Sequence, residues 1–132
     1  MKHALALLAV AAAVALGVDM LGDATQTRPD EDLTGTRSEI VMNVRSTFRR
    51  RLGPLAAGLW GACQGTVASR LVAPGVTNVR GGRFRFEVEP GLGTHARGRL
   101  TGCLEDTTLD RVQADVRWVR LSPSAAPSGV QD

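Results

Sequence analysis

The chain has 132 residues, a net charge of +3 and few aromatic residues: two Trp, three Phe and no Tyr. One domain is the natural count for this length, and once an N-terminal apolar run and a C-terminal tail are set aside, about 85 residues remain to bury a modest core. The two cysteines lie far apart and no Cys-x-x-Cys is present, which excludes the metal-binding and thiol-redox classes that need such spacing.

The N-terminus has the pattern of an export signal. Residues 1–3 form a short basic region, and residues 4–18 form an uninterrupted apolar run. The run has the length of the hydrophobic region of a signal peptide and is shorter than the roughly 20 residues of a spanning helix. We therefore predict that residues 1–22 are a cleaved signal peptide or an N-terminal membrane anchor. In either case the rest of the chain is extracytoplasmic, secreted or membrane-anchored.

Residues 23–36 are rich in acidic and turn-forming residues and have almost nothing to bury. Segments of this composition stay solvated, so we predict a flexible acidic linker. The carboxylates at positions 30–32 lack the glycine-spaced pattern of a calcium loop. Residues 37–121, by contrast, hold fourteen arginines against seven acidic residues. The predicted domain is therefore basic and its linker acidic.

Alternation of apolar and polar residues with a period of two predicts four β-strands. In the third strand, Phe84 and Phe86 fall on the buried face. A Gly-Gly pair before it accepts the positive φ of a tight turn, which makes a hairpin with Val79 opposite Phe84. The last strand places Trp118 on the buried face. The predicted strands are Glu39–Ser46, Val76–Arg80, Arg83–Glu89 and Arg111–Trp118.

Apolar residues spaced three and four apart predict two helices, from Leu52 to Val67 and from Leu92 to Leu104. Several glycines lower the helical propensity of both segments. The resulting order, β-α-β-β-α-β, is that of an α+β, ferredoxin-like split βαβ fold. We expect an antiparallel sheet with two helices on one face over residues 37–121. Residues 122–132 are predicted to be a disordered tail.

The two cysteines are predicted to form a disulfide bond. We take the first and third strands to be parallel, so that the helices following them also run in one direction. Cys63 and Cys103 lie at a similar distance from the start of their helices and would then meet. Export to an oxidising compartment favours the bond, and two separate buried thiols are the alternative.

Catalytic and cofactor motifs are absent from the sequence. It contains neither a Gly-x-Ser-x-Gly nucleophile motif nor a phosphate loop, and we expect no metal or other cofactor. His95 is the only imidazole of the predicted domain, and Glu105 and Asp106 belong to its one acidic cluster, which we interpret as a solvent-facing turn. A small extracytoplasmic hydrolase that uses Glu105, Asp106 or His95 is the alternative function.

The open sheet face is the main candidate for binding. Its outward positions include four arginines that suit an anionic partner, either an envelope component or a protein. A solvated face with cross-strand Arg–Glu pairs is the alternative. No aromatic residue stands among these positions, so binding of nucleic acid by stacking is not expected. If the N-terminus is an anchor, residues 49–51 are placed to contact lipid headgroups. The candidate residues are Arg45, Arg83, Arg85 and Arg117.

Taken together, these features predict a non-catalytic envelope or protein-interaction module.

Overall fold

The computed structural model describes residues 10–18, 20, 30–47, 52–109 and 111–124. They form an α+β structure with a five-stranded antiparallel sheet, as predicted for the fold class. The strands are β1 (Thr36–Ser46), β2 (Arg70–Leu71), β3 (Thr77–Arg80), β4 (Arg83–Glu89) and β5 (Val112–Pro123). The helices that pack on the sheet are α1 (Leu52–Cys63), followed by a 3₁₀ turn (Gln64–Thr66), and α2 (Thr94–Asp106).

β1 and β4 lie side by side in the centre of the sheet. β5 pairs with the other edge of β1, while β3 and β2 share the other edge of β4, beside its first and second halves. Every pairing is antiparallel, so the expectation that the first and third predicted strands run parallel is wrong. The crossover through α1 leaves β3 running in the direction of β1, and the tight turn into β4 then reverses the chain.

The hydrophobic core lies between the sheet and the two helices. The apolar residues that alternation assigns to the buried faces of β1 and β4 are buried there. The ring centroids of Trp60 in α1 and Phe86 in β4 lie 5.2 Å apart, within the range of favourable aromatic pairs. Other members of the core are Ile40, Met42, Val44, Leu59, Phe84, Val88, Leu100, Leu104 and Val112.

A β-bulge interrupts β5 where it pairs with β1. Val41 pairs with Trp118, but the next residue of β1 pairs with Val116, so Arg117 has no partner of its own. Beyond an extra residue of this kind, each side chain of the strand points to the opposite face of the sheet from the one that simple alternation predicts. Val119 packs against the core, whereas Trp118 lies on the other side of the sheet with 38% of its surface exposed. The prediction that Trp118 is buried is therefore wrong.

The hairpin of β3 and β4 also has a register shift, between Asn78 and Arg80. Asn78, rather than Val79, pairs with Phe84, and Val79 is exposed. The placement of Val79 on the buried face is wrong because the irregularity removes it from the alternation that the sequence pattern assumes. β2 was not predicted, because two residues are too few to show a periodicity.

Cys63 and Cys103 form the predicted disulfide, with their Cα atoms 5.7 Å apart. The geometry that brings them together differs from the expected one. Arg99, four residues before Cys103, donates from Nε to the carbonyl of Thr66, three residues after Cys63, over 3.0 Å. The chain that runs forward from Cys63 to Thr66 therefore lies beside the part of α2 that runs backward from Cys103 to Arg99. The two segments run antiparallel, and the bond joins them near their C-terminal ends.

The acidic segment contacts the domain from Asp30 onward. The Asp30 carboxylate accepts hydrogen bonds from the backbone N–H groups of His95 (2.8 Å) and Ala96 (2.5 Å) at the start of α2, where a negative charge is favourable. Gly93 allows this approach, because a Cβ there would lie 2.5 Å from Cγ of Asp30. Within the predicted linker, residues 30–36 are thus part of the folded domain, and Thr36 is the first residue of β1.

The two ends of the chain are described only in part. At the C-terminal end the described residues also differ from the predicted boundary. Residues 10–18 and 20 are helical, and the larger apolar side chains among them are exposed. In the described ranges, no helix is long and apolar enough to cross a membrane. The remaining residues of the 1–22 segment, the linker before Asp30 and the arginines at 49–51 lie outside the described residues. β5 extends to Pro123, inside the predicted tail, of which residues 125–132 are likewise outside.

Candidate partner-binding face

The face of the sheet that α1 and α2 do not cover is the candidate functional site, which we call the outer face. Residues directly opposite each other in antiparallel strands share a face, so the outer face is built from rows that cross β4, β1 and β5. These rows are Arg83–Asn43–Asp115, Arg85–Val41–Trp118 and Glu87–Glu39–Arg120. All three strands of the outer face are held in place by the core on the other side.

One end of the outer face is neutralised by cross-strand ion pairs. Arg37 Nε lies 3.0 Å from Oε2 of Glu89 and its Nη1 lies 3.8 Å from Oε2 of Glu87. Arg85 Nε lies 3.0 Å from Oε1 of Glu39. Exposed pairs of this kind contribute little to stability, but they balance the charge of Arg37 and of Arg85, which is one of the four candidate arginines.

The opposite end of the outer face is basic. Arg45 and Arg83 are exposed, and neither has an acidic partner among the residues that the structure describes. Arg83 Nε donates to the side-chain oxygen of Asn43 over 3.4 Å. Arg117 differs, since its Nη1 lies 3.3 Å from a carboxylate oxygen of Asp115. Of the four candidate arginines, two therefore carry a charge that no described carboxylate balances.

Trp118 gives the outer face an apolar centre that the sequence pattern did not show. The guanidinium of Arg120 lies 4.9 Å from the ring centroid of Trp118, a cation–π arrangement. Val41, its neighbour in β1, is only 4% exposed although it points away from the helices. A change of phase in β5 was detectable, because Val119 and Leu121 continue the apolar alternation one residue out of step with Val116.

Two side chains of α2 hold the free edge of β5 around the bulge. Glu105 Oε1 accepts a hydrogen bond from the backbone N–H of Val116 over 3.1 Å. Arg97 Nη2 donates to the carbonyl of Val119, also over 3.1 Å. These bonds satisfy backbone groups on both sides of the bulge, and groups of this kind on an edge strand otherwise attract a further strand. Glu105 therefore has a structural role in fixing the bulge.

The residues of the alternative hydrolase are not brought together. His95 lies in the first turn of α2, beside Asp30, whereas Glu105 and Asp106 lie in its last turn. Ten residues of α-helix separate His95 from Glu105, which corresponds to about 15 Å along the axis. A general acid–base pair needs both groups within hydrogen-bond reach of one substrate. These three side chains do not form a single catalytic site in this arrangement.

The described structure thus offers one surface, the outer face, where three strands combine unbalanced arginines with an exposed indole. Its residues come from separate parts of the sequence, so only the sheet register places them together. In comparisons with known proteins, no protein-family model matches the chain, and no curated protein or solved structure is significantly similar to it.

Proposed function

We propose that this chain is a small exported or membrane-anchored extracytoplasmic domain that is not an enzyme and binds an anionic envelope component or protein through its outer face. The spatial order β3-β4-β1-β5, with a helix after each of β1 and β4, supports a ferredoxin-like arrangement. The short strand β2 is an addition to it. On this fold the helices protect the core and leave one sheet face for binding.

Export is supported by two independent features. The N-terminal apolar run has the length and flanking charge of a signal segment. The Cys63–Cys103 disulfide is of a kind that forms and persists in oxidising compartments. Both features are typical of a protein in an oxidising, extracytoplasmic compartment.

The observation that carries the proposed function is the unbalanced charge of Arg45 and Arg83. Both side chains are exposed at the same end of the outer face, and the carboxylates of that face are engaged with other arginines. A surface of one sign attracts ligands of the opposite sign and orients them on approach. An anionic partner supplies the negative charges that balance Arg45 and Arg83, which no described carboxylate does.

Removing these two charges is expected to weaken binding to anionic polymers. We predict that R45Q/R83Q lowers the affinity for immobilised polygalacturonate or poly-L-glutamate about tenfold, on the basis of somewhat under 1 kcal/mol for each exposed charge contact. Biosensor titrations at low and physiological salt measure this.

The matched control is R70Q, which is compared with the single variant R83Q and removes the same charge at an exposed position of β2, at the opposite end of β4 from Arg83. Its affinity should change less than about twofold. An equal loss in R70Q and R83Q would show that net charge alone governs binding, and no binding of the wild type to either polymer would refute the proposed function.

A further inference from the structure

Trp118 is the feature of the outer face that charge alone does not explain. A tryptophan gains most free energy of folding when it is buried in the core, yet the bulge in β5 turns this one outward. β-bulges commonly re-aim a side chain next to a functional site. Here the bulge is also held from outside the strand, by the hydrogen bond between Glu105 and Val116. The fold therefore presents this indole on the outer face.

The surroundings of Trp118 offer both hydrogen-bond donors and acceptors. In its own row and the two adjacent rows stand Arg85 and Arg120, which only donate, and Glu39 and Asp115, which only accept. Adjacent rows on one face of a sheet are about 7 Å apart, so one extended ligand can reach several of these groups. A hydroxyl group both donates and accepts, which makes a ligand rich in hydroxyls the best match.

The carboxylates also favour a polysaccharide over other anionic polymers. The backbone of single-stranded DNA carries phosphates, which only accept hydrogen bonds, and it has no free hydroxyl groups along the chain to donate to Glu39, Glu87 and Asp115. An acidic polypeptide has the required carboxylates but few flat apolar surfaces for the indole. A sugar ring has a face of C–H groups that suits the negative face of an aromatic ring.

We propose that the outer face binds a polysaccharide whose sugar rings carry carboxylates. One ring lies against the exposed part of Trp118, its hydroxyl groups bond to Glu39 and Asp115, and a carboxylate of the chain is bound by Arg83 or Arg45. This inference rests on the proposed function and adds to it the chemical class of the partner and the role of Trp118 as the stacking surface.

The test compares binding of four soluble probes by isothermal titration calorimetry to the full-length protein and four variants, W118A, W118F, V79A and R45Q/R83Q. Hexagalacturonate has rings and carboxylates, hexaglutamate has carboxylates without rings, maltohexaose has rings without carboxylates, and oligothymidylate is the nucleic acid. We expect hexagalacturonate to bind tightest. W118A should weaken this binding about tenfold or more and W118F less than about threefold, because the phenyl ring keeps an aromatic face. V79A removes another exposed apolar side chain and should have no effect.

Each result bears on the proposal. Equal affinity for hexaglutamate and hexagalacturonate, or unchanged binding of hexagalacturonate to W118A, would overturn it, and so would tighter binding of oligothymidylate. If R45Q/R83Q still weakens hexaglutamate binding in the first case, the proposed function stands and only the assignment of a polysaccharide fails. If no anionic probe binds the wild type, both fail.

Discussion

Replacement of Cys63 and Cys103 together by alanine is expected to lower the free energy of unfolding by about 4 kcal/mol. The disulfide closes a loop with a sequence separation of 40 residues, and the loop-entropy relation gives this value for a loop of that length. The loss is large against the ~5–15 kcal/mol total of a typical domain. Chemical denaturation of the oxidised wild type and of C63A/C103A measures the difference.

The low helical propensity of the two joined helices explains why the loss of unfolding free energy should be close to the value from the loop-entropy relation. α1 contains three glycines and α2 two, and each glycine costs up to about 1 kcal/mol relative to alanine in a helix interior. The helices therefore depend on packing and on the crosslink rather than on their own propensity. Reduced wild type serves as a control and should unfold at the same denaturant concentration as the variant. A difference below about 1 kcal/mol between oxidised and reduced protein would contradict a stabilising role.

The two tryptophans should respond very differently to truncation. W60A is expected to cost about 3–5 kcal/mol, the usual range for removing a large aromatic side chain from a core. Trp60 is 5% exposed and packs on Phe86. W118A should cost less than about 1.5 kcal/mol, because it removes a half-exposed ring and one cation–π contact. Equilibrium denaturation of both variants gives the two values.

This pair of variants tests the register of β5. A strand without the bulge would bury both tryptophans, and both variants would then lose several kcal/mol. A loss above about 3 kcal/mol in W118A would therefore place its ring in the core and contradict the outer-face position. Since W60A is strongly destabilising, W60F gives a folded comparison if the alanine variant does not fold.

Much of the sheet could be predicted because its central strands obey simple alternation. β4 has the predicted bounds, Arg83–Glu89, and its buried face is the predicted one. The disulfide prediction is also confirmed, although the strand direction used to argue it is wrong. That error has a topological origin, because the direction of β4 follows from the hairpin with β3, and a pattern within one strand carries no information on direction.

The outer face could be predicted only in part, because its composition depends on register. Arg83 and Arg85 follow from the alternation of β4, whereas Trp118 depends on one extra residue in β5. A bulge is stabilised by partners distant in sequence, here the carboxylate of Glu105. The exclusion of aromatic residues from the outer face assumed an uninterrupted strand, and it fails for that reason.

The proposed binding role of the outer face requires that Trp118 be accessible among arginines, and quenching of tryptophan fluorescence by iodide measures this accessibility. The wild type should show two components, one from buried Trp60 that iodide barely quenches and one from Trp118 that it quenches readily. The ratio of the iodide to the caesium quenching constant should also exceed the ratio for free N-acetyltryptophanamide at equal ionic strength, because the surrounding arginines attract anions and repel cations. W118F should lose the quenchable component. Unchanged quenching in W118F, or an iodide-to-caesium ratio no higher than that of the free indole, would contradict an exposed indole in a basic surface.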